Sequence, residues 1–319
     1  MYKEISSEVS GILSCRNEQW LFQSLRNMKS TENINFKTEQ ESSAILPAIK
    51  VEQQNPCHAL APYIRCYWQI EHYLPEGNNI EVPFGCTGRS HFVFTLRNPF
   101  SASLDYGESL NVPQSTFFCQ VTRPITKYIS GPTLAVIVDF NATGFSALWN
   151  LPVHELSERF YDLNNIVSSE IRQLTEQMQQ ANTAQRRFTL LDHYFLSRLA
   201  KIKRDDGRIQ AAVNLIQQQP ATILVNNLAS YVNCSERTLN RRFTEQVGVS
   251  PKYFTRVQRF LKTRFWLENQ TRPSWNDIML KTGYYDQSHL VNEFRYFAGK
   301  SPLQYGAGNS DLHDIFRHE

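Results

Sequence analysis

The rhythm of hydrophobic and polar positions changes three times along the chain. Residues 1 to about 44 are rich in Ser, Glu, Gln and Asn, with apolar interruptions at Trp20-Leu21-Phe22 and Ile45-Leu46; the pattern predicts one helix around Glu18 to Met28 within an extension of illegible function. From about 57 to 142, short runs of β-branched and aromatic residues predict strands over Tyr63 to Ile70, His91 to Leu96, Thr116 to Val121 and Leu134 to Phe140. Turn signals lie between them, at Pro75-Glu76-Gly77-Asn78-Asn79, Pro83-Phe84-Gly85 and Ser130-Gly131-Pro132. Short strands with this punctuation predict a β-sandwich or barrel. After Gly144 the period becomes helical, over Gly144 to Asn150, Val153 to Phe160, Ser168 to Gln180 and Ala184 to Ile202, the last with Phe188, Leu191, Phe195 and Leu199 on one face. A polar run, Lys201 to Gly207, closes this part and marks the expected domain boundary.

Beyond it the sequence repeats itself. At an offset of 51 residues, Ser235 to Phe243 lies over Asp286 to Phe294, matching Leu239 with Leu290, Phe243 with Phe294, Gly248 with Gly299 and Ser250-Pro251 with Ser301-Pro302. Identities in one register imply two copies of one module. Ser235 and Asp286 are N-cap residues, able to accept a hydrogen bond from a first-turn amide. Behind them Leu239, Phe243 and Val247, or Leu290, Phe294 and Phe297, form an inward stripe, and Gly248 and Gly299 end the helices. A shorter helix precedes each cap, about Leu224 to Val232 and Trp275 to Thr282, and Asn233 and Gly283 are residue types that tolerate the left-handed backbone of a tight turn. Each module therefore reads as a helix-turn-helix, with Pro251 to Glu268 a long helix between them. Arg237, Asn240, Arg241 and Thr244 share one outward face, and Gln287, Ser288, Asn292 and Arg295 share another. Arg pairs bidentately with guanine and Asn or Gln with adenine in the major groove, while Arg242, Lys252, Arg256, Arg259 and Arg295 are candidates for phosphate contact.

Charge sharpens this picture. The net charge of +3 hides a segregation: residues 207–305 hold 13 Lys/Arg against 6 Asp/Glu, a net of +7, and the remainder carries a net of −4. A basic domain joined to a mildly acidic one suits a polyanion partner. The longest apolar runs fall far short of the ~20 residues that a membrane span needs, and no secretory pattern opens the chain. The six cysteines (15, 57, 66, 86, 119 and 234) form no CxxC pair, which argues for reduced thiols and a cytoplasmic protein.

Residues 208 to 305 resemble the DNA-binding domain of the AraC/XylS family of transcription regulators. The resemblance rests on Leu228-Ala229, on Ser235 with Arg237-Thr-Leu-Asn-Arg-Arg-Phe243, on Gly248-Val-Ser-Pro251 and Arg259, and above all on Gly283-Tyr-Tyr-Asp-Gln-Ser-His-Leu290 through Phe294-Arg295, Gly299 and Ser301 to Tyr305. It implies base contacts at Arg237, Asn240 and Arg241 in the first unit and at Gln287, Ser288 and Asn292 in the second. Two recognition helices on a fixed linker would enter successive major grooves, about 34 Å apart. Two departures stand out: Met279 replaces the usual Ala, and Asn233 the usual turn Gly. The segment from Leu60 to about Leu199 is more loosely similar to the cupin-like sensor domain of some members, through Leu60 to Trp68 and Phe140 to Leu151.

The expected fold is thus α+β: a cupin-like β-barrel with a helical section (45–206), then an all-α domain of two helix-turn-helix units joined by a long linker helix (207–306), flanked by an extension (1–44) and a tail (307–319). The expected function is sequence-specific DNA binding in transcription, with activation implied by the resemblance. Double-stranded DNA and RNA polymerase are the expected partners, with a small-molecule effector and a second copy of the chain as further ones. Tyr67, Trp68, Phe92, Phe94, Phe117 and Phe140 are candidates to line an effector pocket, although such rings more often fill a core. No cofactor or metal is expected, since His91 stands apart from His58 and His72 in sequence. Pro56-Cys57-His58 resembles the nucleophile motif of DNA alkyltransferases, but Ala59-Leu60 follow where that motif has Arg-Val. No nucleophile–base pair, phosphate loop or metal triad is legible, so an enzyme is not expected. The alternative is an enzyme or ligand-binding barrel whose C-terminal domain serves only localisation or protein contact.

Overall fold

The computed structural model describes residues 48–306, except for 76–77, 85, 105–109, 120–124, 158, 203–205, 222, 224 and 270–273. The helix expected around Glu18 to Met28 lies outside these residues, as do the expected extension and tail.

Ten strands form the N-terminal part: β1 (Ala48–Gln54), β2 (Ile64–Tyr73), β3 (Asn79–Phe84), β4 (Ser90–Thr95), β5 (Phe100–Leu104), β6 (Leu110–Asn111), β7 (Ser115–Cys119), β8 (Ile125–Ser130), β9 (Thr133–Phe140) and β10 (Phe160–Asp162). They pair antiparallel in two sheets, one of six strands ordered β1-β2-β9-β4-β7-β10 and one of four ordered β3-β8-β5-β6. Alternation of side chains gives the six-stranded sheet two different faces. One face, with Tyr67, Phe92, Phe94, Phe117, Val136, Val138 and Phe140, packs on helices α1 (Gly144–Trp149), α3 (Glu170–Gln180) and α4 (Ala184–Leu199) through Phe145, Trp149, Leu174, Phe188, Leu191 and Phe195, all buried. A one-turn helix, α2 (Leu163–Ile166), precedes α3.

The four expected strands and three of the four expected helices of this part stand within a few residues of their predicted bounds. The fourth differs. Val153–Leu156 is a 3₁₀ turn and Phe160–Asp162 is strand β10, whose Phe160 ring stacks on Phe118 at 5.1 Å across the pairing with β7. That partner is 42 residues away, so local spacing carries no sign of it. Pro83-Phe84, read as a turn, ends β3 instead, paired with Thr126 and Ile125 of β8. Strands β1, β3, β5 and β8 escape the sequence reading because charged and small residues interrupt their apolar runs.

Gly207, at φ 71°, leads into α5 (Arg208–Gln218), followed by α6 (Val225–Tyr231), α7 (Glu236–Val247), the long α8 (Pro251–Asn269), α9 (Trp275–Thr282), α10 (Gln287–Ala298) and α11 (Pro302–Gly306). The described residues divide into two compact units, 48–259 with 296–299, and 260–295 with 300–306. In the first, α5, α6 and α7 enclose a core of Ile209, Val213, Ile216, Leu228, Leu239, Phe243 and Val247. That core also takes in Ala142, and α7 packs against α1 and the Val153–Leu156 turn. Thr143 is hydrogen bonded to Gln210, and the Ser157 hydroxyl donates to the Gly248 carbonyl at 3.5 Å. In the second, Phe260, Leu267, Trp275, Ile278, Leu290 and Phe294 are buried, with Phe260 and Phe294 edge to face at 5.1 Å.

Candidate nucleic-acid interface

Each helix-turn-helix is built as its residue types dictate. In the first, Asn233 takes the left-handed conformation (φ 51°) that turns the chain out of α6, and Arg208 donates to its carbonyl at 3.4 Å. The Ser235 hydroxyl then accepts from the Thr238 amide at 3.2 Å, satisfying one of the first-turn donors of α7. Leu239, Phe243 and Val247 are fully buried, and Gly248 (φ 93°) closes the helix by donating to Thr244 at 2.9 Å. In the second, Gly283 (φ 76°) donates to Met279 at 2.8 Å, the Asp286 carboxylate accepts from the His289 amide at 2.7 Å, and Leu290, Phe294 and Phe297 are fully buried.

With the inner faces fixed, the outer faces follow. Arg237, Asn240 and Arg241 of α7 are exposed, as are Gln287, Ser288 and Asn292 of α10. Asn240 donates to the Glu236 carbonyl at 2.9 Å and Arg241 pairs with Glu245 one turn on at 3.0 Å. These are weak, solvated contacts that a base edge can replace. The basic candidates fall into two groups. Lys252 and Arg295 are exposed, whereas Arg242, Arg256 and Arg259 are half-buried. Arg242 is paired with Asp206 at 2.7 Å, and Arg256 lies 5.2–5.6 Å from the rings of Tyr253, Tyr296 and Phe297, a cation–π nest that holds the guanidinium against the protein.

One offset does not describe both halves of the repeat. The recognition helices align at 51, but Leu228 and Asn233 correspond to Ile278 and Gly283, an offset of 50, so the second turn is one residue longer. The extra residue places Tyr285 at the mouth of α10, 93% exposed, beside the buried Tyr284. The sequence already shows it, with Asn233-Cys234 before Ser235 and Gly283-Tyr284-Tyr285 before Asp286. Met279, which corresponds in the repeat to the buried Ala229, is half-buried.

The six aromatics expected to line a pocket do not converge on one space. Tyr67, Phe92, Phe94, Phe117 and Phe140 lie on the helix-covered face, ring against ring: Phe92 with Phe140 at 4.9 Å, Phe117 with Phe145 at 4.2 Å, Tyr67 with Phe188 at 5.9 Å. Trp68 points to the opposite face, among Ile70, His72 and the inward residues of β9. On that face Asp139 is held by Arg89 at 2.8 Å and by His91 Nε2 at 3.2 Å. Burial alone would raise the Asp139 pKa, but the neighbouring Arg89 and His91 outweigh it and hold the carboxyl well below the usual range. Among the described residues no three His, Cys, Asp or Glu side chains cluster closely enough to hold a metal ion. No helix among them is long and apolar enough to cross a membrane.

Residues 228–308 match the family model described as a helix-turn-helix domain. The C-terminal domain is a helix-turn-helix domain. Upstream of the helix-turn-helix domain, residues 52–162 match a domain of unknown function, DUF6597. The chain is similar to the HTH-type transcriptional activator RhaS of Escherichia coli, 27% identical over 156 residues (44% of this chain, 54% of RhaS). It is also similar to YbfI of Bacillus subtilis, an uncharacterized HTH-type transcriptional regulator, at 25% over 139 residues (43% and 49%). The chain thus spans about half the length of the curated relatives it matches. Among solved structures, ToxT of Vibrio cholerae aligns with a TM-score of 0.43 at 8% identity, over 76% of this chain and 97% of that one. A ToxT structure with bound unsaturated fatty acid gives 0.42 at 10%, over 83% and 96%. Likenesses this loose say nothing of what the present chain binds.

Proposed function

We propose that this protein is a sequence-specific DNA-binding regulator of transcription, an activator, that reads DNA with α7 and α10. The observation that carries the reading is the duplicated, capped recognition helix in a basic segment, each copy presenting exposed Arg, Asn, Gln or Ser over a buried apolar stripe. On this reading Arg237, Asn240 and Arg241, with Gln287, Ser288 and Asn292, meet base edges. Lys252 and Arg295 meet phosphates as they stand, and Arg242, Arg256 and Arg259 do so at the expense of their present contacts. RNA polymerase is the natural recipient of an activator's signal, and the β-domain is the part suited to an effector or to pairing with a second copy. The names of the relatives support the same class. An enzymatic β-domain has less support, because the named relatives are regulators of transcription.

Selection of binding sites from random duplex DNA by the purified full-length protein is the test. Two enriched blocks about one helical turn apart are expected. One block would assign reading to a single unit, and no enrichment with or without added effector candidates would overturn the proposal.

A further inference from the structure

The two helix-turn-helix units differ at the residue that directly precedes the capping residue. In the first unit this residue is Cys234, half-buried and packed against the core that contains Leu239. An apolar residue just before the cap that packs on the fourth residue of the helix is a hydrophobic staple, and it fixes the angle at which the chain enters. In the second unit the longer turn moves the buried position back by one residue. Tyr284 is buried there, its ring edge to face with that of His289 at 5.2 Å. Tyr285, now the residue directly before the Asp286 cap, is left 93% exposed, and among the described residues it has no hydrogen-bond or ring partner.

A single exposed ring is ordinary on a protein surface, but this phenol stands in a fixed place. On one side Gly283 sets the turn at φ 76°; on the other the Asp286 carboxylate accepts from the His289 amide at 2.7 Å. The exposed Gln287 and Ser288 follow it directly. When a helix-turn-helix docks, its first helix crosses the sugar–phosphate backbone and its second enters the major groove. The turn between them therefore stands at the groove wall, among phosphates. A phenol is a neutral O–H donor, and its hydrogen bond to an ionised oxygen is of the strong, charge-assisted kind. Tyr285 gives up no internal contact to make such a bond, unlike Arg242 or Arg256.

We propose that Tyr285 is a phosphate contact of the second helix-turn-helix, its hydroxyl donating to a DNA backbone oxygen beside the bases that α10 meets. The contact rests on the DNA reading proposed above and gives the second unit a positioning residue that the first unit lacks. Because it carries no charge and touches no base, its signature is its own. Loss of a base contact such as Arg241 alters sequence preference, and loss of a cationic phosphate contact such as Lys252 lowers the salt dependence; loss of the Tyr285 hydroxyl does neither.

Fluorescence anisotropy of the full-length protein on the duplex it selects, repeated at several salt concentrations, tests this. Tyr285→Phe is expected to weaken binding about tenfold, by a similar factor on single-base variants of the duplex, with the salt slope and the thermal midpoint of the free protein unchanged. Tyr285→Ala should weaken binding at least as much. In duplexes carrying one neutral methylphosphonate at a time, one position beside the second block should weaken the wild type more than Tyr285→Phe. Equal affinities of the wild type and Tyr285→Phe overturn the contact. So does an altered base preference, which would make the residue a base reader, or lost transcription in vitro at unchanged DNA affinity, which would assign it to a protein partner. If the wild type selects a duplex and Tyr285→Phe binds it as well, only this contact fails; if the wild type selects none, the DNA reading itself fails.

Discussion

Arg241 illustrates how little of the role proposed for a residue is visible in its own contacts. Its ion pair with Glu245 is exposed, the kind of contact typically worth ~0.3–0.5 kcal/mol, so Arg241→Ala should leave thermal stability nearly unchanged. In DNA binding the same substitution is expected to cost ~1–3 kcal/mol and to relax preference at one base position. Gel-shift titration against single-base variants of the selected site checks both; unaltered preference would move base reading to other residues. Within the β-domain, His72 makes a second residue-scale prediction. Burial, then the Lys127 charge, lowers its pKa from 6.5 to about 4. Between these values the unfolded chain binds a proton that the folded chain excludes, so stability is full above pH 6.5 and falls as pH drops toward 4, by roughly 3 kcal/mol. Burial shifts His91 the same way, and the depressed Asp139 adds a loss at still lower pH, as its folded-state carboxyl is protonated. Denaturant melts across this range should slope less in His72→Phe; an identical slope would deny the histidine this role.

At the scale of elements, caps and stripes act together. α7 begins where the Ser235 hydroxyl takes the Thr238 amide and holds through Phe243, whose ring meets Phe254 at 5.6 Å. Ser235→Ala should cost about 1 kcal/mol and Phe243→Ala ~3–5 kcal/mol in urea unfolding, since the first frees one donor and the second opens a cavity. A Phe243→Ala cost no larger than that of the cap would mean that the site collapses around the missing ring. Most of this was legible beforehand. Ser235, Asn233, Gly248 and Gly283 are local choices, decided within four or five residues, and their helices lie where the pattern set them. Strand β10 was not legible, because a three-residue strand exists only through Phe118 and Phe117 of a distant partner. The longer second turn was legible, since Asn233-Cys234 precedes Ser235 whereas Gly283-Tyr284-Tyr285 precedes Asp286.

Across the whole molecule, charge is distributed for a purpose the net value conceals. A net of +7 over residues 207–305 against −4 elsewhere predicts that the logarithm of DNA affinity falls linearly with the logarithm of salt concentration. Lys252→Ala, removing one exposed phosphate candidate, should weaken binding to all sequences alike and reduce the slope by ≈ 1. Fluorescence anisotropy at several salt concentrations provides the measurement, and a salt-insensitive affinity would favour protein contact over DNA. The first helix-turn-helix shares its compact unit with the β-domain, joined through Ala142, the Thr143–Gln210 bond and the packing of α7 on α1. The helix proposed to read DNA in this unit, α7, therefore packs directly on α1.

The sequence by itself determined the helices, their caps, the duplication and the outward-facing polar residues, because a helix and its turn are settled by residues within one or two turns of each other. Only the tertiary structure decided which sheet face each aromatic occupies, and this separated Trp68 from the five rings grouped with it. It alone brought His72 within reach of the Lys127 charge from a distant strand. Strand register has a period of two and its partners are remote, so a residue's side of the sheet follows from pairings that no local pattern contains.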